Sequence, residues 1–210
     1  MGSIVNSTKL EKIIEPRIAA WFGVIAPIWG FMSIGISIAS SPWFSWIDNA
    51  LSDLGVSNVA PIFNSGLIIC GTLASLFIVT LIRIERTSRL GPVLLLLSSL
   101  SLMGIGVFSE AFGLIHFYFS LSFFISLILS SIILGIHFTL NLSTRPLGIF
   151  TLLVGIVSLI SCVGWAIVRS LGVAIPETIS AFLAFFLFII LSIRMYRQNV
   201  KSIAFTRFTS

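Results

Sequence analysis

The residues of this 210-residue chain that are able to do chemistry fall in short segments between long apolar runs. One segment, Trp43-Phe44-Ser45-Trp46-Ile47-Asp48-Asn49-Ala50-Leu51-Ser52-Asp53-Leu54-Gly55, carries two carboxylates, an amide and two hydroxyls. Glu110 closes a later apolar run, and His116 follows it across Gly113. A tight turn at Gly113 would bring Glu110 and His116 to one spot, as metal ligands or as an acid–base pair. Asp48, Asp53, Glu110 and His116 together make a carboxylate-rich donor set for one divalent ion. Calcium, magnesium, manganese and zinc all suit such a set. In the acid–base reading Asp53, Glu110 and His116 are the catalytic groups. Asn49, Ser52 and Asn64 supply hydrogen bonds to a substrate, and Arg169 and Glu177 flank the last loop on the same side. Arg169 suits a phosphate or one of the carboxylates. Each of these residues also has a plainer reading, as a solvated or dipole-matched group at a helix end.

The other polar residues carry less. His137 lies about 32 Å of helix beyond His116, a full bilayer, so the two cannot share an ion. With only two histidines in the chain, a three-histidine zinc site is excluded. Cys70 and Cys162 sit inside apolar runs without metal-type spacing, and buried packing is expected of both. Ser122, Ser126 and Ser130 form a stripe of small residues suited to close helix packing. Neither a Gly-x-Ser-x-Gly elbow nor a phosphate-cradling glycine loop occurs.

The elements that must position these groups are transmembrane helices. Hydrophobic residues make up 57% of the chain and charged ones 9%, against roughly 45–50% and 25% in soluble domains. Six apolar runs, near 18–39, 61–82, 90–108, 116–140, 147–168 and 173–193, approach the roughly 20 residues that cross a bilayer. The first is too long for a signal-peptide core of roughly 7–15 residues and reads as a retained helix. Of the 12 Lys and Arg residues, all but Arg169 fall on one side of the resulting up-and-down path. The positive-inside rule therefore places both termini in the cytoplasm. Asp48, Asp53, Glu110 and Glu177 fall on the other side. The fold class is all-α: a polytopic six-helix bundle, with residues 1–17 and a basic tail at 195–210 in the cytoplasm and a single domain over 18–194. Trp43, Ile47, Ala50, Leu51 and Leu54 recur at helical spacing opposite Ser45, Asp48, Asn49 and Ser52. That pattern predicts a short amphipathic helix near 43–55, lying in the extracytoplasmic interface.

Asn49-Ala50-Leu51-Ser52-Asp53-Leu54-Gly55, then Phe63-Asn64-Ser65-Gly66-Leu67, and Gly106-Val107-Phe108-Ser109-Glu110 followed by His116, together resemble the prokaryotic membrane family catalogued as domain of unknown function 998. The likeness extends over nearly the whole chain, with Ser109 where the family pattern expects proline. It implies the six-helix plan and no established activity. The layout is more distantly similar to the Frag/DRAM/Sfk six-helix membrane family, which includes autophagy modulators and GPI-anchor lipid-remodelling proteins. That resemblance implies a lipid ligand.

Three functions follow for a protein of the cell membrane. The first is a lipid- or headgroup-directed enzyme, using the acidic cluster with or without a divalent metal. The second is a lipid-binding scaffold or accessory subunit, whose partner is another membrane protein or a second copy of the chain. The third is a carrier of a neutral solute, ranked last because no charged residue lies near the middle of a run. Nucleic acid is not an expected partner, since the basic residues sit in loops and form no patch with interleaved aromatics.

Overall fold

Hydrocarbon offers backbone N–H and C=O groups no partners, so a crossing segment must satisfy its own as a helix. The computed structural model describes residues 14–84, 89–168 and 172–208, with side chains as far as residue 199. Its six long helices are α1 (Pro16–Ala39), α2 (Ala60–Ile84), α3 (Leu90–Val107), α4 (Leu114–Thr139), α5 (Arg145–Val168) and α6 (Ala174–Phe208). All six are long and apolar enough to cross a membrane, and there is no strand among the described residues. Even α3, with 18 residues, spans about 27 Å, close to the hydrocarbon thickness.

Proline marks where five of these helices begin. Pro16, Pro61, Pro92, Pro146 and Pro176 each lie in a first helical turn, where the missing N–H would have had no intrahelical partner. The exception, α4, starts instead after Gly113, whose φ of 54° suits a residue without a β-carbon.

Each helix packs on the next in sequence, and α6 closes the ring against α1 and α5. Small residues set the close approaches. On the α3–α4 seam, Ser130 Oγ donates to the Gly91 carbonyl at 2.7 Å and the Ser101 and Ser122 hydroxyls meet at 2.8 Å. The serine stripe of α4 is thus spent on packing. Two apolar clusters pack inside the ring. The larger includes Phe77, Leu95, Leu134 and Leu187. The smaller, of Leu51, Leu54, Phe63, Leu67 and Ile105, lies under the connection between α1 and α2.

Charge is divided between the two ends of the bundle. Among the described residues, Arg17, Arg83, Arg89, Arg145, Arg194 and Arg197 lie at one end together with Glu15, and Asp48, Asp53, Glu110 and Glu177 at the other. The Arg194 guanidinium lies 4.7 Å from the Phe138 ring centroid, a cation–π contact at the basic end. Helix α6 runs on past residue 193, so the tail at 195–210 continues it as helix as far as Phe208. Lys9, Glu11, Lys12, Glu85, Arg86 and Arg169 lie outside the described residues.

The segment expected as a helix over 43–55 is built differently. Only Leu51–Val56 is helical, as a short 3-10 turn, and residues 41–50 form a chain of turns. The reason is local competition for backbone groups. Asn49 Oδ1 accepts from Ser45 N at 2.8 Å, and Asp48 Oδ2 accepts from Ser45 Oγ at 2.6 Å. Such side-chain bonds offer the backbone an alternative to a helix.

Candidate functional site

Three connections meet at the acidic end. The 3-10 turn Leu51–Val56 touches the single turn Glu110–Phe112 and the start of α6. The segment before α6 also lies alongside the α1–α2 connection, where Gly172 N donates to Ile47 O and Ala174 N to Asn49 O at 3.0 Å. This backbone pairing holds Glu177 over the 3-10 turn, and Glu177 Oε2 accepts from Leu51 N at 2.8 Å.

Asp53 is the centre of the local hydrogen bonding. Its Oδ2 accepts from Asn49 Nδ2 at 2.7 Å and from Ala50 N at 3.1 Å. The sequence pattern put Asp53 in the last turn of a helix. It lies instead in the first turn of the 3-10 segment, where a carboxylate caps free N–H groups. Asn64, in the second turn of α2, donates from Nδ2 to the Gly55 carbonyl at 2.9 Å. Two motif glycines make room for it. A β-carbon on Gly55 would stand 2.6 Å from Asn64 Oδ1, and one on Gly106 would stand 2.7 Å from the Asn64 carbonyl oxygen. The spaced Gly55, Asn64 and Gly106 are thereby one packing unit that joins α2, α3 and the 3-10 turn.

Glu110 is exposed at the rim, with Asp53 and Ser52 close enough to its carboxyl group to act on its protonation. Partial burial and the neighbouring Asp53 carboxylate raise its pKa above the ordinary carboxyl range. The His116 ring and the Ser52 hydroxyl pull the other way. Glu177 is partly buried and stands within electrostatic reach of both Asp53 and Glu110. Three carboxylates, two from connections and one from the first turn of α6, therefore share one corner.

His116 is buried, at 8% exposure, with both ring nitrogens engaged. Nδ1 lies 2.9 Å from the Phe108 carbonyl, and Nε2 lies 3.3 Å from Ser120 Oγ. A carbonyl only accepts, so Nδ1 donates to Phe108, while Nε2 pairs with the Ser120 hydroxyl. In that arrangement the ring ties α3 to α4 and acts on Glu110 as a fixed neighbour. Asp48 is exposed and directed to Ser45, away from the other carboxylates in its bonding. Among the described residues, no group of three or more His, Cys, Asp or Glu side chains is arranged to hold a metal ion. Of the residues expected at the site, the structure thus gathers Asn49, Ser52, Asp53, Asn64, Glu110 and Glu177, sets His116 behind them, and leaves Asp48 outside. Arg169 lies outside the described residues.

Two contacts of the site had little signal in the sequence: the seam between 172–174 and 47–49, and the use of the Leu51 N–H by Glu177. The one cue was Gly172, where a β-carbon would press on the Asn49 backbone.

A six-helix membrane ring with a carboxylate cluster joining its connections at one end is the class this fold defines. The chain matches the family described as Protein of unknown function (DUF998) over residues 24–194, and it belongs to that family. The match includes every residue of the site. No curated protein and no solved structure matches the chain.

Proposed function

We propose that the protein acts on the headgroup of a membrane lipid at the extracytoplasmic surface, with Asp53 and Glu110 as an acid–base pair. The observation that carries this reading is the pair itself. Two carboxyl groups are electrostatic neighbours at a membrane rim, and burial together with the Asp53 charge favours the protonated form of Glu110. Glu110, with the raised pKa and the exposed position, is the proton donor. Asp53, held by Asn49 and the Ala50 N–H, is the acceptor. Asn64 offers a further polar atom, since its Oδ1 is buried without a partner. His116 is a positioning residue in this reading, because its ring nitrogens are spent on Phe108 and Ser120.

The test is to express Asp53→Asn and Glu110→Gln in membranes that lack the native protein, and to compare headgroup composition and turnover of radiolabelled lipid with wild type. The expected result is loss of one lipid conversion in both variants while folded protein persists. Unchanged lipids in both would overturn the enzyme reading. A metal-assisted version is tested by elemental analysis of the purified protein.

A scaffold role has its own support. Asp53 braces the α1–α2 connection from within, His116 ties the end of α3 to α4, and Glu177 ties α6 to the α1–α2 connection. A stoichiometric partner recovered in mild detergent, lost on Glu177→Ala and indifferent to Glu110→Gln, would favour that second reading.

A further inference from the structure

Midway through the bundle, small side chains from several helices stand around one space. Ala26 and Gly30 of α1, Ala74 of α2, and Ala181 and Ala184 of α6 line a cavity of about 90 Å³. A leucine at one of these positions would reduce it. The polar side chains on its wall are already engaged. Ser98 Oγ donates to the Phe123 carbonyl at 3.2 Å, and Ser99 Oγ to the Leu95 carbonyl at 3.1 Å. The Cys70 thiol packs against the Gly30 backbone. A buried water needs about 2–4 polar partners, and an apolar void that lacks them stays dry. In a chain bathed by hydrocarbon, the available occupant is hydrocarbon.

At the seam where the ring closes, aromatic rings stand between the cavity and the outside of the bundle. Phe31 of α1 and Phe185 of α6 both line the cavity, with ring centroids 5.3 Å apart. Phe31 also meets Phe182 edge-on at 6.0 Å, and Phe182 is 51% exposed on the outside of the bundle. Phe31 and Phe182 lie about 12 Å of helix below the acidic end, inside one leaflet's hydrocarbon.

We propose that this cavity binds one hydrocarbon chain of a membrane lipid, admitted sideways between α1 and α6 past Phe31 and Phe185. On α6, Glu177, Ala181, Ala184 and Phe188 follow one another at helical spacing on a single face. The carboxylate corner therefore stands above the cavity wall, and a lipid whose chain fills the cavity has its headgroup near Asp53, Glu110 and Glu177. That connection to headgroup chemistry rests on the function proposed above, whereas the chain site stands on the cavity alone.

Photocrosslinking tests the proposal. The full chain is reconstituted in phosphatidylcholine vesicles with a trace of phosphatidylcholine bearing a diazirine midway along one acyl chain, then irradiated and mapped by peptide mass spectrometry. Adducts should concentrate on the cavity-lining faces of α1 and α6, above the level at lipid-facing residues such as Leu121 and Ile160. Ala184→Phe should abolish the wall adducts and leave the surface ones. Ala74→Leu, filling the space from α2, should do the same, so that a folding defect in one variant does not decide the outcome. Adducts that follow exposure alone, or that survive both substitutions, would overturn the chain site. Retained wall adducts alongside unaltered lipid chemistry in Glu110→Gln would leave the chain site standing and remove the headgroup reading.

Discussion

At the scale of single residues, the site is governed by how its carboxyl groups share protons. Glu110 is the group outside the membrane-spanning segments whose pKa is displaced upward, by partial burial first and by Asp53 second. A carboxyl whose folded pKa exceeds its unfolded one binds more protons in the native state between the two values. The stability it contributes is therefore lost as pH rises from the ordinary carboxyl range through the raised value. Detergent-solubilised protein should melt at lower temperature as pH increases across that window, and Glu110→Gln should flatten the slope. Asp53→Asn removes the neighbouring negative charge, so it should move the Glu110 titration down, as read from the carboxyl stretch in infrared difference spectra. An unchanged Glu110 titration in Asp53→Asn would show that the two groups do not interact.

At the scale of elements, close approach is the organising constraint. A β-carbon on Gly106 would press against both the Asn64 carbonyl and the Ile68 side chain of α2. Gly106→Ala should then cost about 1–3 kcal/mol, the usual range for overpacking a tight core, measured by unfolding in mixed micelles. Ser130 separates size from hydrogen bonding on the α3–α4 seam. Ser130→Ala removes only the bond to Gly91 O, worth about 0.6 kcal/mol on average between membrane helices. Ser130→Leu adds volume at a fully buried position and should be far more damaging. The same contrast explains how much of the architecture the sequence disclosed. Helices α1 to α6 were legible because lipid imposes a length and an apolar composition on each crossing segment. The connection at 41–50 was not. Its tryptophans and leucines keep helical spacing, yet Ser45, Asp48 and Asn49 take its backbone and side-chain bonds. Its final course also depends on Gly172 and Ala174, which no local pattern can reveal. Asp53 and Glu110 were legible as candidates because carboxylates are rare in this chain. The partners of His116 were not, since one of them is the backbone carbonyl of Phe108.

At the scale of the whole molecule, the bundle is defined by its sidedness and its closure. The cation-rich end should face the cytoplasm by the positive-inside rule, so reporter fusions at residue 87 and at the C-terminus should both report from inside the cell. Closure is the more demanding requirement. Five of the helix seams join neighbours in sequence, and the α1–α6 seam must be held without a covalent connection. The backbone pairing of 172–174 with 47–49 and the Leu51–Glu177 bond, between residues 126 apart in sequence, lie at the acidic end of that seam. A hydrogen bond to a charged group is worth about 1.5–3 kcal/mol. Glu177→Gln keeps a side-chain oxygen that can accept from Leu51 N and should cost less than that. Glu177→Ala removes the acceptor and leaves a partly buried N–H unpaired, so it should cost the full amount and loosen α6 before the other helices. Hydrogen exchange in detergent micelles would read this directly, as faster exchange confined to the start of α6 and to residues 47–53 in Glu177→Ala, with α3 and α4 unchanged. Uniformly faster exchange across all six helices would mean instead that the bundle opens as one cooperative unit and that Glu177 contributes to global rather than seam stability.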